Sequence, residues 1–141
     1  MIGQAGIRRL LPHRYPMLLV DRVRAAEPGA RLVAEKAVTA AEPWFGDGYP
    51  RVLVAESWAQ SAGVLAALSI EDSGFDVVLL GGMKGVEFLA DPAPGDVVEH
   101  HVRLVRAAGE SMLFEGHSEV RGKTLMKVAS MTMALPRKAG G

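Results

Sequence analysis

From Val52 to Leu68 the chain is apolar at nearly every position, the exceptions being Glu56, Ser57, Gln60 and Ser61. A surface helix pairs an apolar stripe with a broad polar face. This segment lacks the polar face, so it predicts a helix buried on most sides, around which the rest of the chain must wrap. Its polar residues cluster: Glu56 and Gln60 are four apart, as are Ser57 and Ser61, which sets them on one narrow stripe. Any chemistry that this helix offers must come from that stripe.

Downstream, Asp96 to Val105, Ser111 to Arg121 and Leu125 to Leu135 are rich in Val, Leu, Met and Phe with partial alternation. Ala107-Ala108-Gly109 and Arg121-Gly122-Lys123 separate them, as expected of antiparallel strands joined by short turns. Leu32 to Val38, Val77 to Leu80 and Val86 to Leu89 add shorter strands, and Asp91-Pro92-Ala93-Pro94-Gly95 reads as a loop. One apolar helix among many strands predicts an α+β fold in which a curved sheet wraps the helix. With 141 residues, 49% of them hydrophobic, the chain is expected to form one domain over 1–141, with a frayed tail from Pro136 to Gly141.

Sixteen basic and sixteen acidic residues cancel, so no global field draws the chain to nucleic acid or to an anionic membrane. The chain has no cysteine, which excludes disulfides, thiolate metal sites and a cysteine nucleophile and suits the cytoplasm. Met1 to Leu11 holds two arginines and no long apolar run, so neither a signal peptide nor a membrane anchor is expected there.

Two segments carry a resemblance. Leu11-Pro12-His13-Arg14-Tyr15-Pro16-Met17-Leu18-Leu19-Val20-Asp21-Arg22-Val23, followed by Glu56-Ser57-Trp58-Ala59-Gln60-Ser61-Ala62-Gly63, is similar to the signature of the β-hydroxyacyl-acyl carrier protein dehydratases. The later run Leu80-Gly81-Gly82-Met83-Lys84-Gly85-Val86-Glu87-Phe88 and the turn Pro94-Gly95-Asp96 resemble the family less specifically. The resemblance spans about Ile7 to Leu135. It implies the hot-dog fold, an acyl-thioester substrate on acyl carrier protein or coenzyme A, no cofactor, and a dimer with the acyl tunnel and active site at the subunit interface. Between the two segments the family has a catalytic histidine and a Gly/Pro-rich turn. Here the run is Glu42-Pro43-Trp44-Phe45-Gly46-Asp47-Gly48-Tyr49-Pro50-Arg51-Val52, shorter by several residues, with Gly48 at the histidine position.

Dehydration of a β-hydroxyacyl thioester removes a proton beside the carbonyl and protonates the departing hydroxyl, so a base, an acid and donors to the carbonyl oxygen are needed. By the resemblance, Glu56 is the helix carboxylate that handles the hydroxyl. A glutamate in so apolar a helix is costly to bury unless paired or protonated; the alternative is a solvated glutamate in the first turn, favoured by the helix dipole. Gln60, one turn on, is expected to support Glu56 or local packing, and it stands with Gly48, Tyr49, Val52, Leu53 and Trp58 as a candidate substrate-binding residue. Backbone N–H groups near Val52 to Val54 are open at a helix start and suit a thioester oxygen. Trp44, Phe45, Tyr49 and Trp58 either line an acyl tunnel or belong to the core.

Asp47, beside the vacant position, is either a carboxylate acting as in hot-dog thioesterases or a solvated residue of the Gly-Asp-Gly turn. His13 is expected to tie the N-terminal segment to the body. Adjacent His100 and His101 on one strand must face opposite ways, and no His/Asp/Glu spacing matches a metal motif, so no metal site is expected. Three functions follow: a dehydratase of fatty-acid or polyketide synthesis using Glu56; a thioester hydrolase using Asp47 or Glu56; and a non-catalytic subunit of a mixed dimer whose other member is a histidine-containing hot-dog protein. A homodimer, alone or as part of a higher oligomer, is the expected assembly otherwise.

Overall fold

The structure, a computed structural model, describes residues 1–70 and 79–134. Its elements run α1 (Gln4–Leu10), β1 (Arg22–Glu27), β2 (Arg31–Ala37), α2 (Arg51–Ser69), β3 (Leu79–Phe88), β4 (Val97–Ala108), β5 (Ser111–Val120) and β6 (Lys123–Ala134). The strands form one antiparallel sheet in the order β1-β2-β4-β5-β6-β3. This is the α+β hot-dog arrangement, with the sheet packed around α2.

α2 is long and apolar enough to cross a membrane by composition, and the sheet and the N-terminal segment cover most of it. Trp58, Ala62, Val64, Leu65 and Ala66 are fully buried. Against them stand the inward residues of the strands: Val98, His100 and Val102 of β4, and Met112, Phe114, Ser118 and Val120 of β5. On β6 the inward parity changes from Met126 and Val128 to Met131 and Met133. The change coincides with an irregularity opposite Phe114–Gly116 of β5, as an inserted residue requires. The β5–β6 hairpin turns through Arg121 and Gly122, both with positive φ (49° and 80°), as the tight turns matching strand twist demand.

The sequence reading and the structure differ in three places. β1 and α1 were not expected. In β1 only Val23 is buried, and in α1 only Ile7, so neither shows an apolar period. Of the expected short strands, Leu79 and Leu80 and Val86 to Phe88 belong to the continuous β3, Leu89 follows its end, and Val77 and Val78 lie outside the described residues. Gly82 and Gly85 have positive φ and hide the strand pattern while the pairing with β6 continues around them. The expected tail from Pro136 onward also lies outside the described residues.

Gly116 leaves no room for a side chain between β4 and the helix. A Cβ built there collides with the His101 carbonyl oxygen and comes within 3.0 Å of the Trp58 indole. The Trp58 Nε1–H uses that opening to donate to the same oxygen at 3.0 Å. Gly116→Ala is therefore expected to lower the stability by about 1–3 kcal/mol through overpacking. The urea-unfolding midpoint of the variant measures it.

Candidate active site

The polar stripe of α2 holds the N-terminal segment in place. Ser57 Oγ donates to the Leu19 carbonyl (2.6 Å), and the Leu19 N–H donates to Gln60 Oε1 (2.7 Å). Two helix side chains thus complete both backbone groups of one residue. Gln60 Nε2 then donates to the Met17 carbonyl (2.7 Å) and to Glu56 Oε1 (3.1 Å). Before this point, the Arg14 guanidinium gathers the carbonyls of Leu11 (2.8 Å), His13 (2.7 Å) and Arg8 (3.0 Å), satisfying groups that the end of α1 leaves open.

Behind the stripe lies a buried chain of hydrogen bonds that the sequence reading missed. His100 is fully buried, with Nε2 2.7 Å from Ser57 Oγ and Nδ1 2.7 Å from Ser118 Oγ. Burial, and then the neighbouring His101 and Lys36, pushes its imidazole down to about 3 from 6.5, so it is neutral near pH 7. Because the Ser57 proton goes to Leu19, His100 must donate from Nε2–H and accept from Ser118 at Nδ1. Both ring nitrogens of His100 are thereby paired. The only available sequence signal was a histidine in phase with Val98 and Val102 on the inward face of β4.

Glu56 is half-buried, its side chain 34% exposed, and His13 Nε2 lies 3.8 Å from its Oε1. His13 Nδ1 is buried without a hydrogen-bond partner. The structure therefore joins Glu56 and Gln60, as expected, and adds His13 to them. Arg14 holds the turn of the segment together, while His13 is the side chain that meets α2.

The other candidates gather elsewhere. Asp47, Gly48 and Tyr49 line a cleft of about 560 Å³ with Phe45, Arg51 and Asp91; Glu56 is not among its walls. Asp47 and Gly48 are exposed, matching a solvated turn. Arg51 bridges to Asp91 through two hydrogen bonds of 2.7 and 3.2 Å, which hold the Asp91 carboxyl below its ordinary range. Tyr49 is buried, and desolvation, then Glu42 and Asp21, lift its phenol well above the ordinary value; it does not ionise near neutrality. Its hydroxyl lies against the Trp44 indole without completing a hydrogen bond of good geometry.

Trp58 is wholly buried, a core residue. Trp44 lines a second pocket of about 260 Å³ with Leu18 and Leu19, beside the paired Lys36 and Glu42 (2.9 Å). The Val52 side chain is 69% exposed. Leu53 is partly buried, and its N–H, expected to be open, donates to the Pro50 carbonyl at 3.0 Å.

The family model for ApeP-like proteins, described as ApeP dehydratase, matches residues 5–139. The chain belongs to the ApeP-like dehydratase family. A 3-hydroxyacyl-[acyl-carrier-protein] dehydratase FabZ of Anaeromyxobacter sp. (strain Fw109-5) is 40% identical, over 94% of this chain and 90% of that protein. Among solved structures, the dehydratase heterocomplex ApeI:P from Xenorhabdus doucetiae superposes with a TM-score of 0.82 at 20% identity, covering 94% of this chain and 91% of that one. A hypothetical thioesterase with coenzyme A from Streptococcus pneumoniae TIGR4 gives 0.67 at 12%, covering 84% and 88%. At such identities these two structures share the fold.

The neutral, buried His100 makes a testable claim about this ApeP-like chain. Unfolded, it binds a proton near 6.5; folded, only near 3. Stability therefore falls as pH drops through that window, by up to about 1.4 kcal/mol per pH unit. In His100→Gln the fall between about pH 6.5 and pH 4.5 is expected to be shallower than in the parent, as read from urea midpoints across the range.

Proposed function

We propose that the protein serves in the dehydration of 3-hydroxyacyl thioesters carried on acyl carrier protein in the cytoplasm, with Glu56 as the carboxylate that handles the leaving hydroxyl. The observation that carries the reading is the placement of Glu56. On a helix whose middle is buried, it is the acidic side chain, a third exposed, and Gln60 Nε2–H fixes one of its oxygens. A carboxylic acid so held can give its proton to the β-hydroxyl, which departs as water, while a base takes the proton from the carbon beside the thioester carbonyl.

The base is the part that this chain supplies least well. Gly48, at the family's histidine position, brings no side chain, and we assign the base to a histidine of a second hot-dog subunit. The likeness to the ApeI:P dehydratase heterocomplex supports a mixed dimer as the working form. A second reading rests on one distance: His13, 3.8 Å from Glu56, gives the chain an imidazole of its own at the site. The thioesterase alternative has less support, since Asp47 is solvent-exposed in a cleft whose walls exclude Glu56.

The test is to incubate the purified protein with a 3-hydroxyacyl-acyl carrier protein, alone and with a histidine-containing hot-dog partner, following enoyl product and free thiol by mass spectrometry. The shared-site reading expects enoyl product only with the partner, and Glu56→Gln lowering its rate about 10²–10⁴-fold. Enoyl product from the chain alone, lost in His13→Ala, favours the second reading. Free thiol without enoyl product overturns both.

A further inference from the structure

The face of the sheet turned away from α2 carries a group that acyl-thioester chemistry does not use. In the register of β4 with β5, Glu99 stands opposite Glu119 and His101 opposite His117. Alternation along each strand puts all four on the same face. The two imidazoles stack, with ring centroids 4.5 Å apart and planes within 5°. His101 Nε2 lies 2.7 Å from Glu99 Oε1 and 3.0 Å from Glu119 Oε1, and His117 Nε2 lies 3.4 Å from Glu119 Oε2. One ligand atom each from His101, His117 and Glu119 falls within 4.8 Å of the others.

Two carboxylates placed directly opposite on neighbouring strands repel each other. Arg24, 2.6 Å from Glu99, offsets one of them. Among the described residues, Glu119 has only the two imidazoles as ion-pair partners. The block thus collects negative charge and two nitrogen donors where one cation would serve all of them.

We propose that His101, His117 and Glu119 form a binding site for a divalent cation of the zinc class, with Glu99 as an available fourth donor. Two imidazole nitrogens and a carboxylate oxygen suit zinc better than the hard cations magnesium and calcium, which favour all-oxygen sites. Binding exchanges the Nε2 hydrogen bonds for metal bonds, with each neutral ring carrying its proton on Nδ1. The rings turn out of parallel so that both in-plane lone pairs meet the ion. Side chains that are 33% and 37% exposed have room for that rotation. The ion clamps β4 to β5, and because it binds the folded chain it raises stability by mass action.

The test is calorimetric titration of the untagged, chelator-treated full chain with Zn²⁺, with Co²⁺ absorption reporting the ligand geometry and thermal melts with and without Zn²⁺. We expect one saturable site per chain and a melting midpoint that rises with Zn²⁺. Losing even an outer partner of a ligand commonly costs 10–100-fold in affinity, so His117→Ala and Glu119→Gln are expected to weaken binding about a hundredfold and remove the rise in midpoint. His13→Ala is expected to bind as the parent does. Absence of saturable binding, or equal binding by the parent and both ligand variants, overturns the proposal, whatever the chain's activity toward thioesters.

Discussion

The structure turns on the proton of Ser57. Sent to the Leu19 carbonyl, it obliges His100 to present Nε2–H and to accept from Ser118, which links β5, β4, α2 and the N-terminal segment in one directed chain. Leaving any of these buried groups without its partner costs about 1–3 kcal/mol. The chain is satisfied in one arrangement, so α2 has one rotation and one depth inside the sheet. That rotation puts Glu56 at the boundary with solvent, and Gln60 and Trp58 in the interior.

The N-terminal segment follows from this. Leu19 is bound like a strand residue, although its partners are the side chains of Ser57 and Gln60 rather than another backbone. Gln4 adds two hydrogen bonds to the carbonyls of Val20 and Asp21, at 2.6 and 2.7 Å. With both ends of the segment fixed and Arg14 closing the turn, His13 comes to lie beside Glu56. The histidine is thus a neighbour of the carboxylate because of hydrogen bonds made by other residues.

Much of this was legible in the sequence because it rests on apolar period and chain order. The sealed helix of Val52 to Leu68, observed as Arg51–Ser69, and the long hairpin strands follow from side-chain pattern alone. So does the pairing of Glu56 with Gln60, four residues apart on one helix. What stayed hidden depends on pairing across the sheet. His101 and His117 are sixteen positions apart and meet only through the β4–β5 register, and His100 finds Ser57 and Ser118 on two other elements. β1 and α1 escaped notice because each buries a single side chain. Asp47, close to Glu56 in sequence, lines a cleft whose walls do not include Glu56.

The bare backbone at Gly116 lets His101 serve both surfaces of the sheet. Its carbonyl oxygen takes the Trp58 indole from within, while its ring joins Glu99, Glu119 and His117 outside. Trp58 is two residues beyond Glu56 on the same rigid helix. A shift of the His101 main chain would therefore stretch the hydrogen bond from the helix's central tryptophan. In mechanical terms the sheet is thin at this point, and one residue of β4 is fastened to the helix on one surface and to the imidazole–carboxylate group on the other.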